Sequence, residues 1–136
     1  MTSNKTNIST VQIWFLAIRP KTLAASIAPV LIGTAMAFRD GLWHFPSALA
    51  ALSGALLIQI GTNLANDYFD FRKGVDTKDR LGPVRVTQSG LIKPAVVKRA
   101  FILCFALAVL ISFYLIARAG WPIILIGALS VFFGIF

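Results

Sequence analysis

Four long apolar runs leave this 136-residue chain few ways to fold. Thr22 to Phe38 is seventeen residues without a charge, Phe45 to Asn66 is twenty-two, Ala100 to Ala117 is eighteen and Pro122 to Phe136 is fifteen. A helix needs roughly 20 apolar residues to cross the hydrocarbon of a bilayer, within a usual range of about 17–25. The first three runs meet that length. The fourth covers only about 22 Å at 1.5 Å per residue, and its uncapped end at Phe136 predicts that the chain is the N-terminal part of a longer protein. Only 13% of residues are charged, against about 25% in soluble domains. The expected fold is all-α: a multi-spanning transmembrane helix bundle forming one domain, with spans near 22–38, 45–71, 100–117 and 122–136.

A net charge of +8 would suggest nucleic acid in a soluble protein, but here the basic residues flank apolar runs. Lys5, Arg19 and Lys21 precede the first span. Arg72, Lys73, Lys78, Arg80, Arg85, Lys93, Lys98 and Arg99 fall between the second and third, and only Arg39 and Arg118 occupy the other two connections. Eleven against two is the positive-inside bias. It predicts a plasma-membrane protein with a cytoplasmic N-terminus and a cytoplasmic loop at 72–99, and Trp43 and Trp121 at the opposite interface. Met1 to Gln12 is too polar for a signal peptide. Val11 to Ile18 is expected to lie along the interface before the chain turns in at Pro20. One cysteine, Cys104, excludes an intrachain disulfide.

The second run ends in chemistry. At about 100° per residue, Gln59, Asn63, Asn66, Asp67 and Asp70 share one helix face within an arc of about 100°. Charges in hydrocarbon are costly by a few kcal/mol each on insertion scales, so Asp67 and Asp70 need a counter-charge. Oxygen ligands of this kind suit Mg²⁺, which keeps several waters and shares its shell with substrate phosphates. Asp67 and Asp70 can each offer a carboxylate, and Asn63 and Asn66 a carbonyl or a hold on a bound water. Asn and Asp also serve as polar glue between membrane helices, but five on one face exceed what simple association needs.

The segment that follows, RKGVDTKDRLGPVRVTQSGLIKP, carries Gly74, Gly82, Pro83, Gly90 and Pro94, which mark turns. Its cations can bind a diphosphate, Arg by bidentate pairing and Lys as a point charge. Arg85 and Lys73 are the expected contacts. Lys93, Lys98 and Arg99 are expected only to fix orientation, and His44 to be a polar flank.

With these residues in view, the chain resembles the UbiA superfamily of intramembrane prenyltransferases, and within it the branch acting on 1,4-dihydroxy-2-naphthoate in menaquinone synthesis. Three segments carry the resemblance: RPKTLAASIAPVLIGTA at Arg19–Ala35, QIGTNLANDYFDFRKGVDT at Gln59–Thr77 and RLGPVRVTQSGLI at Arg80–Ile92. The resemblance implies a bundle of about nine transmembrane helices, about four of them here, around a cavity open to the cytoplasm. It implies that two aspartate-rich motifs hold the Mg²⁺–diphosphate of a polyprenyl donor. Asn63, Asp67 and Asp70 would carry the first motif, with Asp76 as a further metal ligand; Asn66, Lys73 and Arg85 would bind the diphosphate, and Arg19 and Lys21 would lie near the mouth that admits the aromatic acceptor. The implied reaction transfers the polyprenyl group with loss of CO₂, giving demethylmenaquinone. No acidic residue follows Asp79, so the second motif is missing and the 136 residues alone are expected to be inactive.

Two alternatives stand beside this reading. A sister enzyme acting on 4-hydroxybenzoate, homogentisate or haem would share the acidic motif but not the GPVRVTQSG loop. A transporter segment would use the stripe as an ion path, yet Phe45 to Ile58 carries only Ser47 and Ser53 as polar side chains.

Overall fold

The computed structural model describes residues 8–74 and 85–135, and within them every regular element is helical. Helix α1 runs Thr10–Ile18, α2 Pro20–Arg39, α3 Phe45–Lys73, α4 Pro94–Ala119 and α5 Pro122–Ile135. Helices α2, α3 and α4 are long and apolar enough to cross a membrane. Helix α5, at 14 residues, falls short of that length.

The starts of these helices are written locally. Ser9 caps α1 with a full capping box: its hydroxyl accepts from Gln12 N at 3.3 Å, and Gln12 Oε1 accepts from Ser9 N at 2.9 Å. Proline stands in the first turn of α2, α3 and α4, where its missing N–H costs nothing. Pro29 lies inside α2, and the helix continues through it. His44 caps α3, its Nδ1 accepting from Ser47 N at 3.4 Å.

The charged segment is shorter than the loop expected at 72–99. Arg72 and Lys73 form the last turn of α3, and Lys98 and Arg99 belong to the first turns of α4. Both helices run past their apolar runs, because Lys and Arg are good helix formers and lose nothing where the helix emerges into water.

Helix α4 packs along α3 more extensively than any other pair, and α2, α5 and α1 each add a flank to α3. The seam is aromatic. Tyr68, Phe69, Phe101 and Phe105 have neighbouring ring centroids 5.3–6.3 Å apart in tilted or edge-on arrangements, the geometry that ring quadrupoles favour. Small residues let the backbones close. A Cβ on Gly61 would stand 3.2 Å from the Phe105 ring, and one on Gly134 would stand 2.6 Å from Thr62 Oγ1. The outward face of α2 is apolar and exposed, with Leu31, Ile32 and Phe38 prominent on it.

Candidate functional site: an acidic patch beneath a basic loop

At its basic end α3 meets two non-helical pieces of chain. One is the break between α1 and α2. Arg19 sits there with φ 52° and ψ 72°, the one non-glycine residue with positive φ among those described. For an L-residue this left-handed conformation costs roughly 1–2 kcal/mol, so its surroundings must hold it. Asn63 does so. Its side-chain amide donates to Ile18 O and to Thr22 Oγ1, both at 2.8 Å, and Thr22 Oγ1 in turn donates to Arg19 O at 2.9 Å. The Asn63 amide nitrogen therefore ties α3 to the α1–α2 elbow, and the residue is buried. Its Oδ1 receives only a long 3.5 Å bond from Gln59.

The second piece is the segment from Arg85 to Ile92, which lies over the acidic face. Val86 is wholly buried beneath it, and Leu91 N and Ile92 N both donate to Val86 O, at 2.9 and 3.2 Å. Gly90 makes the turn with φ 69°. The backbone N–H of Thr87 donates to Asp67 Oδ2 at 3.3 Å. Arg85 donates to Asn66 O at 3.0 Å and forms an ion pair with Asp70.

Asp67 is 3% exposed. Its second oxygen, Oδ1, is buried without a hydrogen-bond partner among the described residues, and so is Thr87 Oγ1. Both the Arg19 and the Arg85 guanidinium groups act on the Asp67 carboxylate electrostatically. The Thr87 hydroxyl also acts on this carboxylate, but Oδ1 lacks a well-formed hydrogen bond among the described residues, which is uncommon for a buried carboxylate oxygen and leaves it suited to a divalent cation. Among the described residues no three acidic, histidine or cysteine side chains come together. The donor set thus fits a hard cation that completes its shell with water and phosphate oxygens, as Mg²⁺ does, and not an all-protein cage.

Beneath Gln59 a cavity of about 440 Å³ opens between α2, α3, α4 and α5. Its lining is apolar apart from Ser26, Gln59, Ser112 and Ser130. Gln59 is the one member of the polar stripe that lines it, two turns along α3 from Asp67.

The model of the UbiA prenyltransferase family matches residues 26–136. The chain belongs to that family. UbiA proteins are membrane helical bundles, and this one is a membrane protein. Over 112 residues it is 45% identical to 1,4-dihydroxy-2-naphthoate octaprenyltransferase of Escherichia coli (strain K12), a match covering 82% of this chain and 36% of that protein. The enzyme of the same name from Bacillus subtilis (strain 168) is 35% identical over 123 residues, 90% of this chain and 40% of that protein. UbiA prenyltransferase domain-containing protein 1 of Homo sapiens is 41% identical over 66 residues, 48% of this chain and 20% of the human protein. The chain thus spans about two fifths of the length of the naphthoate enzymes it matches. No solved structure matches it.

Within this UbiA fold the expected site residues divide. Asn63, Asp67, Asp70, Asn66, Arg85 and Arg19 lie around one patch, although Asn66 offers its backbone carbonyl to Arg85 while its side chain is exposed. Lys73 faces elsewhere, into a pocket with Arg72 and Lys98. Lys21 is exposed. Asp76 lies outside the described residues. Two partners went unread in the sequence: Thr87, which reaches Asp67 through its backbone, and Thr22, which links Asn63 to Arg19. The RPKT and GPVRVTQSG segments held both residues but gave no sign of which would touch the acidic helix.

Proposed function

We propose that this chain carries the first diphosphate-binding half of a polyprenyltransferase that alkylates 1,4-dihydroxy-2-naphthoate in menaquinone synthesis. The observation that carries the reading is the buried Asp67 carboxylate, one oxygen of which has no hydrogen-bond partner among the described residues, under the positive charge of Arg19 and Arg85. The names of the bacterial relatives support the acceptor.

Asp67 and Asp70, with Asp76 as a further ligand, would hold Mg²⁺, which when bound supplies positive charge to the donor's diphosphate. Arg85 and Arg19 stabilise the negative charge that grows on that diphosphate as the allylic C–O bond breaks, which is stabilisation where charge develops. The acceptor's ring carbon takes up the allylic carbon, and CO₂ and diphosphate leave. An apolar cavity below the patch suits the isoprenoid tail and keeps water from the electron-poor carbon. The setting is the plasma membrane, with the patch on the cytoplasmic side.

The test is transfer by the full-length protein with Mg²⁺, labelled polyprenyl diphosphate and a panel of aromatic acceptors. The naphthoate should be prenylated, and Asp67→Asn should abolish transfer while the protein stays inserted and folded. Transfer to 4-hydroxybenzoate with none to the naphthoate would overturn the acceptor. Wild-type turnover in Asp67→Asn would overturn the metal role.

A further inference from the structure

A second polar pocket lies on the other side of α3. Tyr68, Phe69 and Arg72 project from the helix about 100°, 200° and 140° around from Asp67, roughly opposite the arc that holds Asn63, Asp67 and Asp70. With Lys73 from α3 and Lys98 and Phe101 from α4 they line a cavity of about 540 Å³ at the basic end of the two helices. Its floor is aromatic and closed: Tyr68 and Phe101 are buried with ring centroids 5.7 Å apart, and Phe69 stands 5.9 Å from Phe101. Its rim is cationic. Arg72, Lys73 and Lys98 are all exposed, and among the described residues no acidic side chain lines the pocket and none is ion-paired to any of the three.

Three cations around one concavity raise the local concentration of anions. The remaining features say which anion. The pocket sits where two spanning helices leave the apolar zone, at the depth of phosphate head groups. One turn further into α4 from Lys98, Ile102 is 50% exposed and offers an apolar path for an acyl chain. Basic pockets between transmembrane helices on the cytoplasmic side are where acidic lipid head groups bind. We propose that this pocket, between the end of α3 and the start of α4, binds the phosphate head group of an anionic glycerophospholipid. The site is separate from the acidic patch and does not rest on the enzymatic reading. Lys73 belongs to it by position, and so does Lys98, whose sequence context suggested orientation alone.

The experiment is native mass spectrometry of the full-length detergent-solubilised protein titrated with phosphatidylglycerol or phosphatidylcholine. Phosphatidylglycerol should be retained in preference. The double variant Arg72→Gln/Lys98→Gln should weaken its retention by about 25-fold, about fivefold per cation. Arg99→Gln removes an equal charge one residue away and should leave retention within twofold. Equal loss in Arg99→Gln would show that diffuse surface charge is responsible and would overturn the site. Unchanged retention in the double variant would do the same. Competition by millimolar glycerol 3-phosphate at the lipid's own affinity would overturn the lipid assignment in favour of a soluble phosphate.

Discussion

Arg85 is ion-paired to Asp70 and also donates to the carbonyl of Asn66, so one guanidinium fastens the 85–92 segment to the last two turns of α3. A hydrogen bond to a charged group contributes about 1.5–3 kcal/mol. Arg85→Ala should therefore raise the KM for polyprenyl diphosphate by roughly 10- to 100-fold. Arg85→Lys keeps the charge but loses the planar fork and should fall between. Steady-state kinetics of the full-length protein decide it, and an alanine variant within twofold of wild type would remove Arg85 from the site.

Asn63 should matter to stability before it matters to chemistry. Its amide fills two acceptors on the α1–α2 elbow, and deleting it leaves both half-buried acceptors unmatched. Asn63→Ala should cost about 1–3 kcal/mol in unfolding free energy. Asn63→Asp should be no better, because a carboxylate presents acceptors to acceptors. A double-mutant cycle with Thr22→Val should show coupling of about 0.5–3 kcal/mol. Additive losses would mean that Asn63 and Thr22 do not act as one unit.

The fold was legible because apolar run length is a local property: each run from 22 to 117 lies inside one of α2, α3 and α4. The stripe was legible for the same reason, since a 3.6-residue period places Asn63, Asp67 and Asp70 together whatever packs against them. Lys73 shows the limit. It follows Asp70 by three residues, which leaves it about 60° away around the helix, yet it lines the pocket with Arg72 and Lys98. Thr22 and Thr87 were illegible because their contacts span 41 and 20 positions. Arg19 was illegible because nothing in an Arg-Pro dipeptide announces a positive φ.

Arg19 combines a strained backbone with a charge beside Asp67, and glycine separates the two. Glycine adopts φ near +52° without steric penalty, so Arg19→Gly relieves about 1 kcal/mol of strain while removing the cation. The variant should unfold no earlier than wild type in a thermal melt and yet lose transfer activity by about tenfold or more. A fall in thermal stability with activity intact would reverse the assignment, making Arg19 a structural residue only.

Orientation follows from where charge lies relative to the helices. Ser89 sits in the basic segment after α3, and Asp40 lies in the short turn between α2 and α3; both are exposed. The eleven-to-two distribution of Lys and Arg predicts that Ser89 faces the cytoplasm and Asp40 the opposite side. Cys104 is the sole cysteine of these 136 residues, so the labelling background is the full-length protein with Cys104→Ser and every other cysteine replaced by serine. In intact cells an impermeant maleimide should label Asp40→Cys at once and Ser89→Cys only after permeabilisation. The reverse pattern would put the acidic patch on the outer face. A donor made in the cytoplasm would then have no route to Asp67, and the enzymatic reading would fail with the topology.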